Sequence, residues 1–315
     1  MSKSSVVCSL IAVALLAGCA GKSEPVAIGR LDLASRCENT DSVTNVFRPA
    51  LEALSRVAGG ISPDSVLARY RASAAQRVFG PDIKERLSDL SAAESELGSA
   101  RARLQEEFPE MRFPSFVYGY ATPYNQSVVV VDTVLLIGLN HYLGADYAGY
   151  EGFEEYRRAL KTPERLVPDV VEAVIATNNP YAPGPNATVL SRLLYEGALL
   201  YAMDRALPEA DEALLMGYDP QQMEWARVNE GRVWQRLVES EMLFSTDPAV
   251  ADKLVAPAPG TLLVNANAPG RIGRYIGLKI VEAYLKSNPE ATPAELLSAQ
   301  FYALPQVLHK ARYAP

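Results

Sequence analysis

Apolar residues recur at helical spacing over the first third of the chain. In residues 44–109, Leu51, Leu54, Val57 and Ala58 are three, three and one positions apart, and Leu97 and Leu104 continue the pattern. Residues at such intervals lie on one face of a helix. We therefore predict that this segment is helical and is broken at its Pro and Gly residues.

The spacing of the apolar residues changes in the middle of the chain. Residues 116–121 are aromatic and extended in character, and 128–131 and 134–138 are apolar runs rich in Val. Such runs are typical of strands, and strands that are apolar throughout are covered on both faces. The pattern predicts about three strands, antiparallel, inserted after the first helices.

Helical patterns return in the second half. They are predicted over 163–176, 188–206, 220–244, 271–286 and 293–299, with a Pro/Asn/Gly-rich loop over 178–186. Gly273 and Gly277 share one face of their helix, which indicates close packing against another helix. The chain is therefore predicted to be α+β, mostly helical, with one small antiparallel or mixed sheet.

The first residues read as a processing signal. Lys3 precedes an apolar stretch over residues 6–16, and Leu16-Ala17-Gly18-Cys19 resembles the bacterial lipobox. A bilayer span needs about 20 apolar residues, so the stretch is short for a membrane helix. We expect a lipoprotein signal peptide over 1–18, lipidation of Cys19, a tether over 19–27 and a single domain over 28–315. Ala20, in place of an aspartate, favours sorting to the outer membrane.

The net charge limits the classes of binding partner, and the cysteine content limits the possible disulfides. The net charge of −7 does not fit the basic surface of a nucleic-acid-binding protein, so no nucleic-acid partner is expected. Once Cys8 leaves with the signal and Cys19 is lipidated, Cys37 is the one remaining thiol, and an intramolecular disulfide is excluded. We expect a packed, inert thiol at Cys37.

Histidine is scarce. His141 and His309 are the only two in the sequence, so a histidine-rich zinc site is excluded. His141 follows a predicted strand. It is interpreted either as a proton carrier at a strand end or as a loop histidine that is at the surface or has its hydrogen bonds satisfied.

Two glutamates are the other candidates for chemistry. Glu196 lies within an apolar helix, where a charge is costly unless it is paired. Tyr195 and Leu199 flank it at the spacing of the two imidazoles in H-E-x-x-H enzymes, but neither supplies an imidazole, so no metal and no cofactor are expected. Glu230 is expected either to pair with Glu196 for acid–base work or to be a solvated or arginine-paired helix charge.

Several segments together resemble the gliding-motility lipoprotein GldB family of Bacteroidota. They are Ile28-Gly29-Arg30-Leu31-Asp32, Ile137-Gly138-Leu139-Asn140-His141-Tyr142-Leu143-Gly144, Glu196-Gly197-Ala198-Leu199-Leu200-Tyr201, Asn229-Glu230-Gly231-Arg232-Val233-Trp234 and Pro269-Gly270-Arg271-Ile272-Gly273-Arg274-Tyr275-Ile276-Gly277. The resemblance implies an outer-membrane lipoprotein that faces the periplasm and associates with gliding or secretion machinery. It also implies a zincin-like scaffold that has lost its metal, with Tyr195 to Leu199 on the former metal helix and Glu230 near the third-ligand region.

Two functions of different class follow. The first is a non-catalytic envelope component, anchored to the membrane by its lipid and bound to other envelope proteins. The second is a degenerate zincin-like hydrolase that uses Glu196 and Glu230, with His141 as a further candidate.

Overall fold

The computed structural model describes residues 23–185 and 187–315, so the lipobox and Cys19 lie outside the described residues. It confirms the predicted α+β class, with mostly helix and one small sheet. The strands are β1 (Ile28–Arg30), β2 (Phe116–Tyr120), β3 (Val128–Val131) and β4 (Val134–Gly138). The helices are α1 (Leu31–Ala34), α2 (Thr40–Val46), α3 (Arg48–Val57), α4 (Pro63–Ala72), α5 (Ala74–Arg86), α6 (Ser91–Glu107), α7 (Glu155–Arg158), α8 (Leu166–Asn178), α9 (Val189–Ala206), α10 (Glu212–Met216), α11 (Pro220–Glu239), α12 (Pro248–Val255), α13 (Ile272–Ser287), α14 (Pro293–Leu296), α15 (Ala299–Ala303) and α16 (Gln306–Ala311).

The sheet has four strands in the order β1-β2-β4-β3 and is mixed. β2 lies parallel to both β1 and β4, and only β3 and β4 are antiparallel. Of the two predicted alternatives, an antiparallel or a mixed sheet, the mixed sheet is confirmed, and it has four strands where about three were expected. The β3–β4 hairpin turns at Asp132, which has a left-handed φ of 52°. β1 escaped prediction because three residues are too short to show a period.

The sheet is buried at its centre. All five residues of β4 are buried, whereas β3, at the edge, is only half-buried. Helix α3 packs against β2 and β4, and α8 packs against β3. The apolar run in β4 thus reflects cover on both of its faces, as its composition predicts.

Helix α9 runs through the centre of the helical part. Thr188 caps its first turn, because the Thr188 hydroxyl accepts a hydrogen bond from the Ser191 amide at 3.2 Å. Its main neighbour is α13. A Cβ on Gly277 would overlap the carbonyl group of Leu193, and one on Gly197 would overlap the backbone of Gly277. The close helix packing predicted from Gly273 and Gly277 is therefore present, and its partner is α9.

Two helix predictions need correction. Helix α11 ends at Glu239, before the predicted residue 244, because Glu241 takes a left-handed φ of 53° that a helix cannot continue through. The predicted helix over 293–299 is two short helices, α14 and α15. In the described ranges, no helix is both long and apolar enough to cross a membrane.

Candidate functional site

Glu196 is buried on α9 and is held by two arginines. Its side chain is 9% exposed. Arg192 Nη2, one turn earlier on α9, lies 2.8 Å from Glu196 Oε1, and Arg274 Nε, on α13, lies 3.0 Å from Oε2. Both carboxylate oxygens therefore face a guanidinium group. This arrangement satisfies the charge that the sequence places in an apolar helix.

Arg274 connects three helices. Its Nη2 donates a hydrogen bond to Glu172 Oε1 on α8 at 2.8 Å, while its Nε pairs with Glu196. The Arg274 side chain is 3% exposed. Burial lowers the pKa of Arg274, but Glu172 and Glu196 outweigh burial and raise it above the usual value. Burial likewise raises the pKa of Glu172, and Arg274, Arg271 and Arg165 together bring it below its usual value. Both groups are therefore charged at neutral pH.

The two residues at the imidazole positions pack into the core. Tyr195 and Leu199 are both buried. The Tyr195 hydroxyl donates a hydrogen bond to the Asn179 carbonyl at 2.9 Å, and its ring packs against Tyr181 and Tyr302. Burial raises the pKa of Tyr195 to about 12. A protonated phenol engaged as a donor does not serve as a metal ligand.

Glu230 lies on α11 with different partners. The Tyr275 hydroxyl donates to Glu230 Oε2 at 2.8 Å, and the Tyr313 hydroxyl donates to Oε1 at 3.0 Å. In the part of the chain that is described, no arginine or lysine forms an ion pair with it. Glu196 and Glu230 thus contact consecutive residues of α13, Arg274 and Tyr275, which project from a helix about 100° apart. Among the described residues, the two carboxylates have different partners, and no side chain contacts both of them.

His141 is buried after β4 and is fully engaged. Lys161 Nζ lies 2.5 Å from His141 Nδ1, and His141 Nε2 lies 3.0 Å from the Tyr124 carbonyl oxygen. Lysine can only donate, so Nδ1 accepts and Nε2 carries the proton. Burial, with the Lys161 charge, lowers the pKa of His141 to about 4. His141 is therefore a neutral residue that positions Lys161. His309 is exposed on α16.

A cavity of about 490 Å³ opens beside this histidine. Four basic side chains line it, together with two carboxylates and His141: Arg157, Lys161, Arg165, Arg271, Asp169 and Glu172. We call it the basic cavity. Neither Glu196 nor Glu230 lines it, although Arg274 joins Glu196 to Glu172 at its wall. The cavity is positively charged within a chain that is acidic overall.

The carboxylates of the basic cavity are already paired. Arg165 forms an ion pair with Asp169 one turn later on α8, and Asp169 also accepts a hydrogen bond from the Tyr142 hydroxyl at 3.0 Å. Burial nevertheless leaves the pKa of Asp169 above its usual value. Glu172 pairs with Arg274. Lys161 and Arg271 have no carboxylate within ion-pair distance among the described residues.

Sequence reasoning missed this cavity. Arg271 and Arg274 stand in the segment that carries the family resemblance, but their spacing alone does not show that they meet α8. Lys161, Arg165 and Asp169 lie about a hundred residues earlier in the chain. The sequence feature that could have indicated the cavity is the apolar helix α8, because charged residues in an apolar helix need partners.

The donor groups do not fit a transition metal. Over residues 23–185 and 187–315, no cluster of three or more His, Cys, Asp or Glu side chains is arranged to hold a metal ion. At the segment for which the resemblance implies a former metal helix, one carboxylate is paired with two arginines, and the flanking side chains are those of Tyr195 and Leu199. A catalytic zinc needs three protein ligands.

A family model described as gliding motility protein GldB matches residues 34–315. Neither the curated proteins nor the solved structures give a match.

Proposed function

The chain belongs to the GldB family of gliding-motility proteins, and from this membership we propose that it is a lipid-anchored, non-catalytic component of a motility or secretion complex in the outer membrane. Cys19 carries the lipid, residues 19–27 form the tether, and the domain that follows faces the periplasm. The zincin-like scaffold that the resemblance implies stays a prediction.

The pairing of Glu196 supports a non-catalytic role. A general base must be within reach of a water or a substrate proton and must have an oxygen free to accept it. Both oxygens of Glu196 instead face arginines, and the carboxylate is buried between α9 and α13. In the same way, Glu230 is occupied by two tyrosine hydroxyls. These carboxylates hold helices together.

Lipid anchoring is tested by labelling. Cells that express the full chain are fed a palmitate analogue carrying an alkyne, and the purified protein is assayed for the label. We expect labelling of wild type and of Cys37→Ser, and none of Cys19→Ser, which should also leave the membrane fraction. Equal labelling of Cys19→Ser would contradict the anchor.

Membership of a complex is tested in membranes of the native host. The detergent-solubilised, tagged chain is separated on a density gradient, and its cross-linked neighbours are identified by mass spectrometry. We expect co-migration with other motility or secretion proteins, lost in Cys19→Ser. A chain that migrates alone, and whose Glu196→Gln variant loses a measurable peptide-hydrolysing activity, would favour the hydrolase.

A further inference from the structure

Two cations in the basic cavity lack counter-charges. Asp169 and Glu172 are each used by an arginine, Arg165 and Arg274 respectively. Lys161 and Arg271 are left without a carboxylate partner in the described chain. The surplus is therefore about two positive charges, in a partly desolvated space where charge interactions are stronger than in water.

Arg271 is held there at a cost in free energy. It precedes α13 with a left-handed φ of 62°, which is unfavourable for a side chain of this size. Its Nε is buried and has no hydrogen-bond partner in the described structure, and its Nη1 reaches the Met216 carbonyl only at 3.4 Å. Burial, with the nearby charge of Arg274, lowers the pKa of Arg271 to about 10. Backbone strain together with a half-buried cation that has no carboxylate partner is typical of a binding site.

Arg165 adds a second buried donor. Its side chain is 5% exposed, and its Nε also lacks a partner within the described residues. Arg165 and Arg271 line both the basic cavity and a neighbouring cavity of about 650 Å³. The neighbouring cavity is otherwise acidic, with Glu154, Glu155, Glu164 and Asp219 in its wall. An anion is therefore attracted to the basic cavity and repelled by the other.

We propose that the basic cavity binds the phosphoryl group of a phosphate monoester between Lys161 and Arg271. A phosphate monoester carries nearly two negative charges at neutral pH, which matches the surplus, whereas a carboxylate carries one. The planar guanidinium group of arginine suits two phosphoryl oxygens at once. Phe153, Leu160 and Val128 give the cavity an apolar wall for the organic part of the ester.

The volume agrees with an ester. A cavity of about 490 Å³ is within the range of small-molecule sites and has room beyond a phosphoryl group. The ester's other end would point along the wall that the two cavities share, past Leu160 and Pro257. Because that side is acidic, a neutral or cationic group is expected there. A lipid headgroup and a soluble metabolite could both present this chemistry.

Calorimetry on the full lipidated chain in detergent tests the proposal. Inorganic phosphate, phenyl phosphate and acetate are titrated at constant ionic strength and about pH 7.5, which is above the second pKa of a phosphate monoester, about 6. At that pH Lys161, whose pKa burial lowers to about 8, is still mostly protonated. We expect saturable binding of phenyl phosphate, weaker binding of inorganic phosphate and none of acetate.

Variants show whether the basic cavity is the site. Arg271→Gln is expected to weaken phenyl phosphate binding roughly tenfold to a hundredfold, the effect of a lost charge-assisted hydrogen bond. It should leave the melting temperature of the unliganded protein unchanged or higher, because it removes a half-buried cation that has no carboxylate partner. Arg77→Gln, the same change at an exposed arginine on α5, should bind as wild type does. If Arg271→Gln fails to fold, Lys161→Met replaces it with the same expected loss.

Three outcomes would overturn the site: no binding of either phosphate probe to wild type, equal binding by Arg271→Gln or Lys161→Met, or equal loss in Arg77→Gln. Phosphatidylcholine vesicles with and without phosphatidic acid identify the source. Binding that requires phosphatidic acid assigns the phosphoryl group to a lipid, whereas binding of phenyl phosphate alone assigns it to a soluble ester. The result does not depend on the motility assignment.

Discussion

Replacing Arg274 by Met should strongly destabilise the fold. Met keeps the length of the side chain and removes its charge. The substitution leaves Glu172 without its ion-pair partner and leaves Glu196 with only Arg192, which is itself 30% exposed. Removing one member of a buried ion pair typically costs about 3–5 kcal/mol, because the partner charge stays buried. We expect the free energy of unfolding to fall by about 4 kcal/mol.

A double-mutant cycle isolates the contact with Glu196. Glu196→Gln keeps the shape and leaves Arg274 paired with Glu172, so its own cost should be about 1–2 kcal/mol. In the double variant Arg274→Met/Glu196→Gln, one of the two stranded carboxylates is gone. The loss should therefore be at least about 1 kcal/mol smaller than the sum of the single losses, as coupled neighbours show.

Urea unfolding followed by circular dichroism measures all four proteins, with Trp225 and Trp234 fluorescence as a second probe. Coincident transitions establish that the comparison is two-state. A loss of less than about 1 kcal/mol in Arg274→Met, or additive losses in the double variant, would refute the structural role of the Glu172–Arg274–Glu196 network.

Two further predictions concern other parts of the fold. Gly277→Ala should lower the free energy of unfolding by about 3 kcal/mol, because its Cβ would overlap the Leu193 carbonyl. Gly231→Ala, on the exposed side of α11, should instead raise the free energy of unfolding by about 0.5–1 kcal/mol. Both values are measured by urea unfolding, and an unchanged stability in Gly277→Ala would contradict the close packing of α9 and α13. In the folded protein His141 is neutral, because its pKa is lowered from 6.5 to about 4. As the pH falls, the unfolded chain therefore protonates His141 before the folded protein does, and stability is lost between pH 6.5 and pH 4. Over this pH interval, the free energy of unfolding should fall by about 3 kcal/mol more in wild type than in His141→Gln. His309→Gln, a change at an exposed histidine, should behave as wild type does. Identical curves of stability against pH for wild type and His141→Gln would contradict a buried neutral His141.

Local pattern was enough to predict most helices and the α+β class. Helices α8, α9 and α13 are long and periodic, and the side chains of Thr188 and Asp219 cap the first turns of α9 and α11. The pairing of strands was beyond the same reasoning. β2 and β4 lie parallel although 13 residues separate Tyr120 from Val134 in sequence, and nothing local in β2 indicates which neighbour it takes. Turn residues fix only the β3–β4 hairpin.

In the candidate site, too, local sequence features were predictable and tertiary contacts were not. The sequence indicates that the Glu196 charge must be paired, because it stands in an apolar helix, but the partner on α13 is 78 positions away. Arg271 carried no local signal, since an arginine before a helix is ordinary. Its importance comes from a left-handed backbone, a buried Nε and a cavity wall built by α8, and these arise only from tertiary packing.

Zinc titration of the purified full chain separates a structural charge at Glu196 from a metal-site base. Metal content is measured after incubation with excess zinc and desalting, alongside peptide hydrolysis with and without a chelator, for wild type and Glu196→Ala. We predict that wild type and Glu196→Ala retain the same amount of zinc. We also predict that a chelator leaves the rate of peptide hydrolysis unchanged. One equivalent of zinc that disappears in Glu196→Ala, together with peptide cleavage that the chelator abolishes, would contradict the assignment of Glu196 as a structural ion-pair residue.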